Sequence, residues 1–306
     1  MELVDRDILR GAADIHIHVG PDYSPRYADA VQLAKEASEA QMRAIVIKKH
    51  LSSTVAEAYL AGQCYPSVKV YGGIALNAPT GGLSLRSVLA CLKMGGKAVW
   101  LPTTDAGYAM EKAAQGHWIK EYVNGSSLGE TVEPLWILEE DGTLKTSVVK
   151  IMAACMEYDA ILCSGHVGPK ECLALAREAQ RIGYRKLEIT HANDWGNDFT
   201  MDICKELASL GATLSIAYGC CSPHNGRQDP HEIVRMIKTV GAEHLVLITD
   251  FGQPTNAAPA DGMRAFYYLL KRLGITKEEL HQMIVTNPLR LLGLEEECNE
   301  MPDSRD

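Results

Sequence analysis

The residues with the clearest chemical content lie close to the N-terminus, in Asp14-Ile15-His16-Ile17-His18. Successive side chains of a strand point to opposite faces, so His16 and His18 project together while Ile15 and Ile17 face the other way. Two imidazoles two residues apart on one strand can chelate a metal ion, and imidazole suits zinc, iron, nickel or manganese to differing degrees. Taken alone, the pair fits two core histidines equally well, because H-x-H is a short pattern. Other metal-type residues close other β-rich runs: His166 after Cys163-Ser164-Gly165, His191 after Ile189-Thr190, and Asp250 after Ile248-Thr249. If those runs are neighbouring parallel strands, all of these side chains meet on one rim, and a divalent-metal site accounts for that coincidence better than chance.

The elements that would position them alternate along the chain. Apolar, β-rich runs fall at 13–19, 44–49, 68–76, 98–101, 160–164, 186–190, 213–218 and 244–249. Helical periodicity fills segments between them, at 30–41, 85–94, 173–182, 201–210 and 231–240, and Gly95, Gly183, Gly211 and Gly241 follow four of these. Near-continuous apolar strands separated by helices predict a parallel sheet covered on both faces. Eight such units in 306 residues predict an α/β fold, a (β/α)8 TIM barrel, as one domain over 1–294 with an acidic tail at 295–306. The connection after the fourth strand, 103–159, is a long insertion that must hold more than one helix. Within it, 134–137 followed by Glu139-Glu140-Asp141-Gly142 reads as a hairpin with a polar turn, and the insertion is a candidate lid over the catalytic face.

The second run ends Lys48-Lys49-His50. Alternation forbids Lys49 and His50 from both facing inward unless a bulge intervenes, and if His50 faces in, so does Lys48. His50 and Lys49 are both candidate substrate contacts. So are Arg26 beyond the H-x-H loop, Asn77 after the third strand, Asp105 after the fourth and Tyr218 at the end of the seventh, each of which could instead cap a loop or face solvent. His224 and Cys220 lie near the same rim, and no base is visible to activate Cys220 as a nucleophile.

Composition narrows the partners. With 46% hydrophobic and 23% charged residues the chain can bury a large core. A formal charge of −9 repels nucleic-acid backbones and anionic membranes, which leaves a small-molecule substrate. The N-terminal MELVDRDILR lacks the basic and apolar regions of a leader, and no apolar run approaches the roughly 20 residues of a membrane span. Nine scattered cysteines without a C-x-x-C pair fit reduced thiols and a cytoplasmic location.

H-x-H after the first strand, His after the fifth and sixth, and Asp after the eighth together resemble the amidohydrolase superfamily of metal-dependent hydrolases. The closing segment Asn287-Pro288-Leu289-Arg290-Leu291-Leu292-Gly293 is similar to an ending common there. More narrowly, the chain resembles an amidohydrolase-like family of bacterial cytosolic proteins through DIHIHVGPD (14–22), RAIVIKKH (43–50), GGIALN (72–77), WLPT (100–103) and TDFGQP (249–254). The resemblance implies that His16, His18 and Asp250 hold one metal. His166 and His191 would hold a second, or His166 would join the first while His191 contacts substrate. Asp250 would double as general base for a metal-activated water that attacks an amide, lactone, ester or phosphoester bond. The implied cofactor is a divalent metal, zinc first, with one or two ions per chain, and a homo-oligomer is expected. One departure matters: binuclear members carry a carboxylated Lys or a Glu at the end of the fourth strand, where this chain reads Val99-Trp100-Leu101-Pro102-Thr103-Thr104-Asp105. That keeps two other readings open, a mononuclear decarboxylase or lyase acting on a small carboxylic acid and a non-catalytic metal-binding barrel.

Overall fold

The computed structural model describes residues 6–116, 132–194, 196–222 and 228–295. The strands are β1 (Ala13–His18), β2 (Ala44–Lys48), β3 (Lys69–Tyr71), β4 (Gly73–Ala75), β5 (Ala98–Trp100), β6 (Ile161–Cys163), β7 (Leu187–Ile189), β8 (Thr213–Ala217) and β9 (Leu245–Ile248). They form two parallel sheets in the orders β1-β2-β3 and β4-β5-β6-β7-β8-β9. Each of the eight β-rich runs becomes strand. The run 68–76, expected as one strand, is divided at Gly72. A Cβ there would stand 2.5 Å from the Thr54 carbonyl oxygen and 2.7 Å from Val55 Cα, so only glycine lets the chain pass at that point. The Thr54 side chain spans the division, its hydroxyl donating to Ile47 O at 2.7 Å and accepting from Gly73 N at 2.9 Å.

The α-helices among the described residues are α1 (Ala30–Glu39), α2 (Val55–Cys64), α3 (Leu85–Lys93), α4 (Gly107–Ala114), α5 (Thr146–Glu157), α6 (Pro169–Ile182), α7 (Met201–Ser209), α8 (Pro230–Val240), α9 (Pro259–Arg272), α10 (Lys277–His281) and α11 (Asn287–Leu292). Their apolar faces cover strands that are buried along almost their whole length. Helix α6 begins four residues before its apolar periodicity, because Pro169 fits the first helical position and the Glu171 carboxylate accepts from Gly168 N and Ile137 N. Asn287 works structurally: its amide donates to Ala242 O and Leu245 O at 2.8 and 2.6 Å, fixing the start of β9.

The long connection after β5 contains α4 and α5, and between them an antiparallel turn in which Leu138 faces Leu144 and Glu139 N donates to Thr143 O. The remainder of the expected lid, 117–131, lies outside the described residues, as do His224 and the tail at 296–306. Among the described residues no helix is long and apolar enough to cross a membrane.

Past the end of β9 the chain returns to β1, where Asp250 N donates to His16 O at 3.1 Å and His18 N to Phe251 O at 2.7 Å. Gly252 follows with φ +135, and a Cβ on it would fall on the carbonyl of His18. Gly252→Ala is therefore expected to cost about 3 kcal/mol or more in urea unfolding, by combining a disallowed φ with a backbone clash. A change under 1 kcal/mol would show that this junction is loose.

Candidate metal centre

Strand β1 carries Asp14, His16 and His18, all buried, and its register against β2 slips between Asp14 and Ile17. Asp14 ties β1 to the end of β9, accepting from Thr249 Oγ1 at 2.5 Å, from Thr249 N at 3.2 Å and from His16 N at 3.2 Å. Burial pushes its carboxyl up to about 7 despite those donors. The next residue along, Asp250, adopts φ +55, a left-handed conformation that the short polar Asp tolerates. In that pose Asp250 Oδ1 lies 3.1 Å from His18 Nε2 and 3.3 Å from His16 Nε2.

Among the described residues, these three are the group of His, Cys, Asp or Glu side chains whose ligand atoms all lie within 4.8 Å of one another. Two imidazole nitrogens and one carboxylate oxygen form a donor set suited to a divalent cation. The electrostatics fit such an ion. His16 is held well below the usual histidine range by burial and then by Lys48, and His18 falls to about 4 through burial and then Arg26. Both are thus neutral, the form that can ligate. Burial alone would raise Asp250, but the facing His16 ring and the hydrogen bond with His18 outweigh it and hold the carboxyl well below its ordinary value. His18 Nδ1 is buried and has no hydrogen-bond partner among the described residues. The Asp250 side chain keeps 17% exposure against 2% and 5% for His16 and His18, so it is the member of the trio that meets solvent.

Three further imidazoles continue the ring. Centroids are 4.8 Å apart for His18 and His50, 5.9 Å for His50 and His166, 5.0 Å for His166 and His191, and 6.2 Å for His191 and His16. Burial first, then Lys48 for His50 and His191 for His166, holds these two well below the usual range. All five histidines are therefore brought together, but His166 and His191 stand beside the His16–His18–Asp250 group rather than within it.

The lysine that reaches the site is Lys48. Its Nζ lies 3.1 Å from His16 Nε2 and 5.4 Å from the Trp100 ring centroid. Lys49, the expected contact, points to the other face and pairs with Glu57, as alternation requires once His50 faces inward. Asn77, a candidate substrate contact, is tied into the scaffold. Its Oδ1 accepts from Thr103 N and Asp105 N, and its Nδ2 donates to His50 O and Thr103 Oγ1. Asp105 is likewise consumed, accepting from Ala78 N and Thr104 Oγ1. Tyr218 packs between Phe251 and Phe266, with ring centroids at 5.3 and 4.9 Å. Arg26 is buried on Asp22 through two bonds of 2.9 and 2.7 Å, close enough to depress His18, His50 and Lys48. Asp14, Trp100, Thr103 and Asn197 join the site without having stood out as candidates in the sequence. Asp14 had a signal, since it is in phase with His16 and His18 on the strand.

Solved structures share this fold. A dipeptidase AC, described as a metallopeptidase of family M19, superposes with a TM-score of 0.59 at 11% identity, covering 94% of this chain and 99% of its own. The probable dipeptidase PvdM from Pseudomonas aeruginosa gives 0.60 at 9% identity, covering 93% and 95%. A triple mutant of an organophosphorus hydrolase from Deinococcus radiodurans gives 0.51 at 16% identity, covering 95% of each chain. No curated protein matches the sequence. A family model does, described as "Family of unknown function (DUF6282)", over residues 11–215, a stretch that takes in all five clustered histidines; the chain belongs to that family.

Proposed function

We propose that this chain is a metal-dependent hydrolase of a small molecule. In this reading the two sheets make one closed (β/α)8 barrel, and His16, His18 and Asp250 hold a single divalent cation, zinc first, at its C-terminal rim. The observation that carries it is the convergence of His16 Nε2 and His18 Nε2 on one oxygen of Asp250. When bound, the cation supplies Lewis-acid activation of water and of the scissile bond. Asp250 stays ionised, faces solvent, and takes the proton of the attacking water before returning it to the leaving group. The strand end after β5 offers no Lys or Glu, and Thr103 there is tied to Asn77 and His50, which favours one ion over a bridged pair. The solved structures of similar fold are named as dipeptidases, an amidohydrolase and an organophosphorus hydrolase, so amide, ester and phosphoester bonds are the substrate bonds to test first. A cytoplasmic homo-oligomer completes the reading.

Elemental analysis of the chelated and reconstituted protein tests it. One equivalent of metal per chain is expected, and none after His16→Asn with His18→Asn. An unchanged metal content in the double variant would overturn the ligand assignment. A panel of N-acyl amino acids, lactones and phosphoesters, with β-keto and aromatic acids alongside, then separates hydrolysis from decarboxylation.

A further inference from the structure

Five imidazoles in one cavity need not do the same work, and their outer hydrogen bonds divide them. A neutral imidazole bears one N–H and one lone pair, and the partner on one nitrogen decides which form is present. A histidine that ligates metal through Nε2 donates Nδ1–H to a carboxylate, a backbone carbonyl or water. His191 has the reverse arrangement. Asn197 Nδ2 lies 3.2 Å from His191 Nδ1 and 3.0 Å from His191 O. The backbone carbonyl accepts only, so it fixes the amide with nitrogen on this side. Turning the amide over would set Oδ1 against that carbonyl oxygen. The second amide proton is thereby directed at His191 Nδ1, which must accept. The His191 backbone, at φ +33, is further fixed by its N–H donating to Ser215 Oγ at 2.8 Å.

His50 repeats the pattern with different residues. Asn77 is oriented by two backbone N–H groups on its Oδ1, so its Nδ2 donates to Thr103 Oγ1 at 2.7 Å. The one proton of the Thr103 hydroxyl then has His50 Nδ1, at 2.8 Å, as its hydrogen-bond acceptor among the described residues. His50 Nδ1 accepts as well, and its proton sits on Nε2.

We propose that Asn197 and Thr103 lock His191 and His50 as Nε2–H tautomers, so that both enter the site as hydrogen-bond donors to a substrate oxygen and neither is a metal ligand. The two rings flank the cluster from opposite sides, His191 beside His16 and His50 beside His18. Two N–H donors so placed suit a substrate that gathers negative charge on oxygen next to the cation: a carbonyl passing to a tetrahedral oxyanion, or a phosphoryl group. Asn197 and Thr103 are positioning residues, acting only through the imidazoles they orient. The substrate half of the proposal rests on the hydrolase reading; the tautomers do not.

Long-range 1H–15N correlation spectra of the metal-free, 15N-labelled protein test the tautomers directly, with His50→Gln and His191→Gln assigning the signals. Both residues should show a pyridine-type Nδ1 and a pyrrole-type Nε2. Asn197→Asp places an acceptor on His191 Nδ1 and should invert that one signature while leaving His50 unchanged, a response that loosened packing would not give. In Zn2+ titration, His191→Gln should keep the wild-type stoichiometry with affinity within about threefold, whereas turnover of any substrate found falls by the roughly 10²–10³-fold typical of losing an oxyanion donor. A pyrrole-type Nδ1 on either residue in the wild type, or loss of zinc in His191→Gln, overturns the proposal. Failure of the wild type to bind zinc at all, with both tautomers as stated, would instead sink the metal-site reading and the substrate role built on it.

Discussion

Asp250→Asn is expected to lower kcat/KM by roughly 10²–10⁴-fold, the range associated with losing a positioned general base, while leaving the protein folded. The substitution keeps the shape of the side chain, and Asn enters the left-handed region at least as readily as Asp, so the φ of +55 is no obstacle. The backbone anchors also survive: Asp250 N to His16 O, and Gln253 Nε2 to Asp250 O at 3.1 Å. What is lost is the negative charge between two neutral imidazoles and the lone pair that would take the proton. Metal affinity should fall too, by at least tenfold, because the trio loses its one anionic donor. Circular dichroism, zinc titration and kinetics on one preparation distinguish the outcomes. Full activity with bound zinc would remove Asp250 from the chemistry. Loss of fold would show that its charge is structural.

Much of this arrangement was legible from residue order because strand geometry is simple. Alternation placed His16 and His18 on one face, and the C-terminal ends of parallel strands share one rim, which gathered His166, His191 and Asp250. The same rule, applied strictly to Lys48-Lys49-His50, selects Lys48 over Lys49, as Lys49's pairing with Glu57 bears out. Other features depend on side chains folding back onto the backbone, which no periodicity encodes. Asn77 and Asp105 looked like rim contacts but spend their polar atoms on Thr103 N, Asp105 N and Ala78 N. Asn197 lies six residues beyond His191, outside any regular element, and only the turn between them brings the two together. The break at Gly72 was equally invisible, because 68–76 reads as one apolar run and the reason for the bend, the Thr54 carbonyl, lies well upstream.

Lys48→Met should stabilise the metal-free protein near neutral pH. Lys48 is fully buried, and burial lowers its ammonium from 10.5 to about 8, with Asp250 opposing that shift from a distance. Among the described residues no carboxylate forms an ion pair with it; its polar contact is His16 Nε2. A base whose folded pKa is depressed binds fewer protons folded than unfolded between the two values. Wild-type stability from this group therefore rises with pH through about 8 to 10.5, and below about 8 the full penalty applies. That penalty is about 3 kcal/mol at 1.36 kcal/mol per pH unit. Methionine matches the volume without the charge, and its loss of the contact to His16 and of the cation–π approach to Trp100 returns about 1 kcal/mol. The variant should thus exceed wild type by about 2 kcal/mol in urea at pH 7, with the difference shrinking towards zero by about pH 10. Asp14 does not confuse the measurement: its raised carboxyl acts with the opposite sign, reducing stability as pH rises from 3.8 to about 7, below the Lys48 window and equally in both proteins. A variant less stable than wild type at pH 7, or a difference independent of pH, would mean that Lys48 is held as a well-compensated ammonium. A stabilised variant would mark Lys48 as a residue kept for the site at the expense of the fold, as expected where a buried polar group serves function.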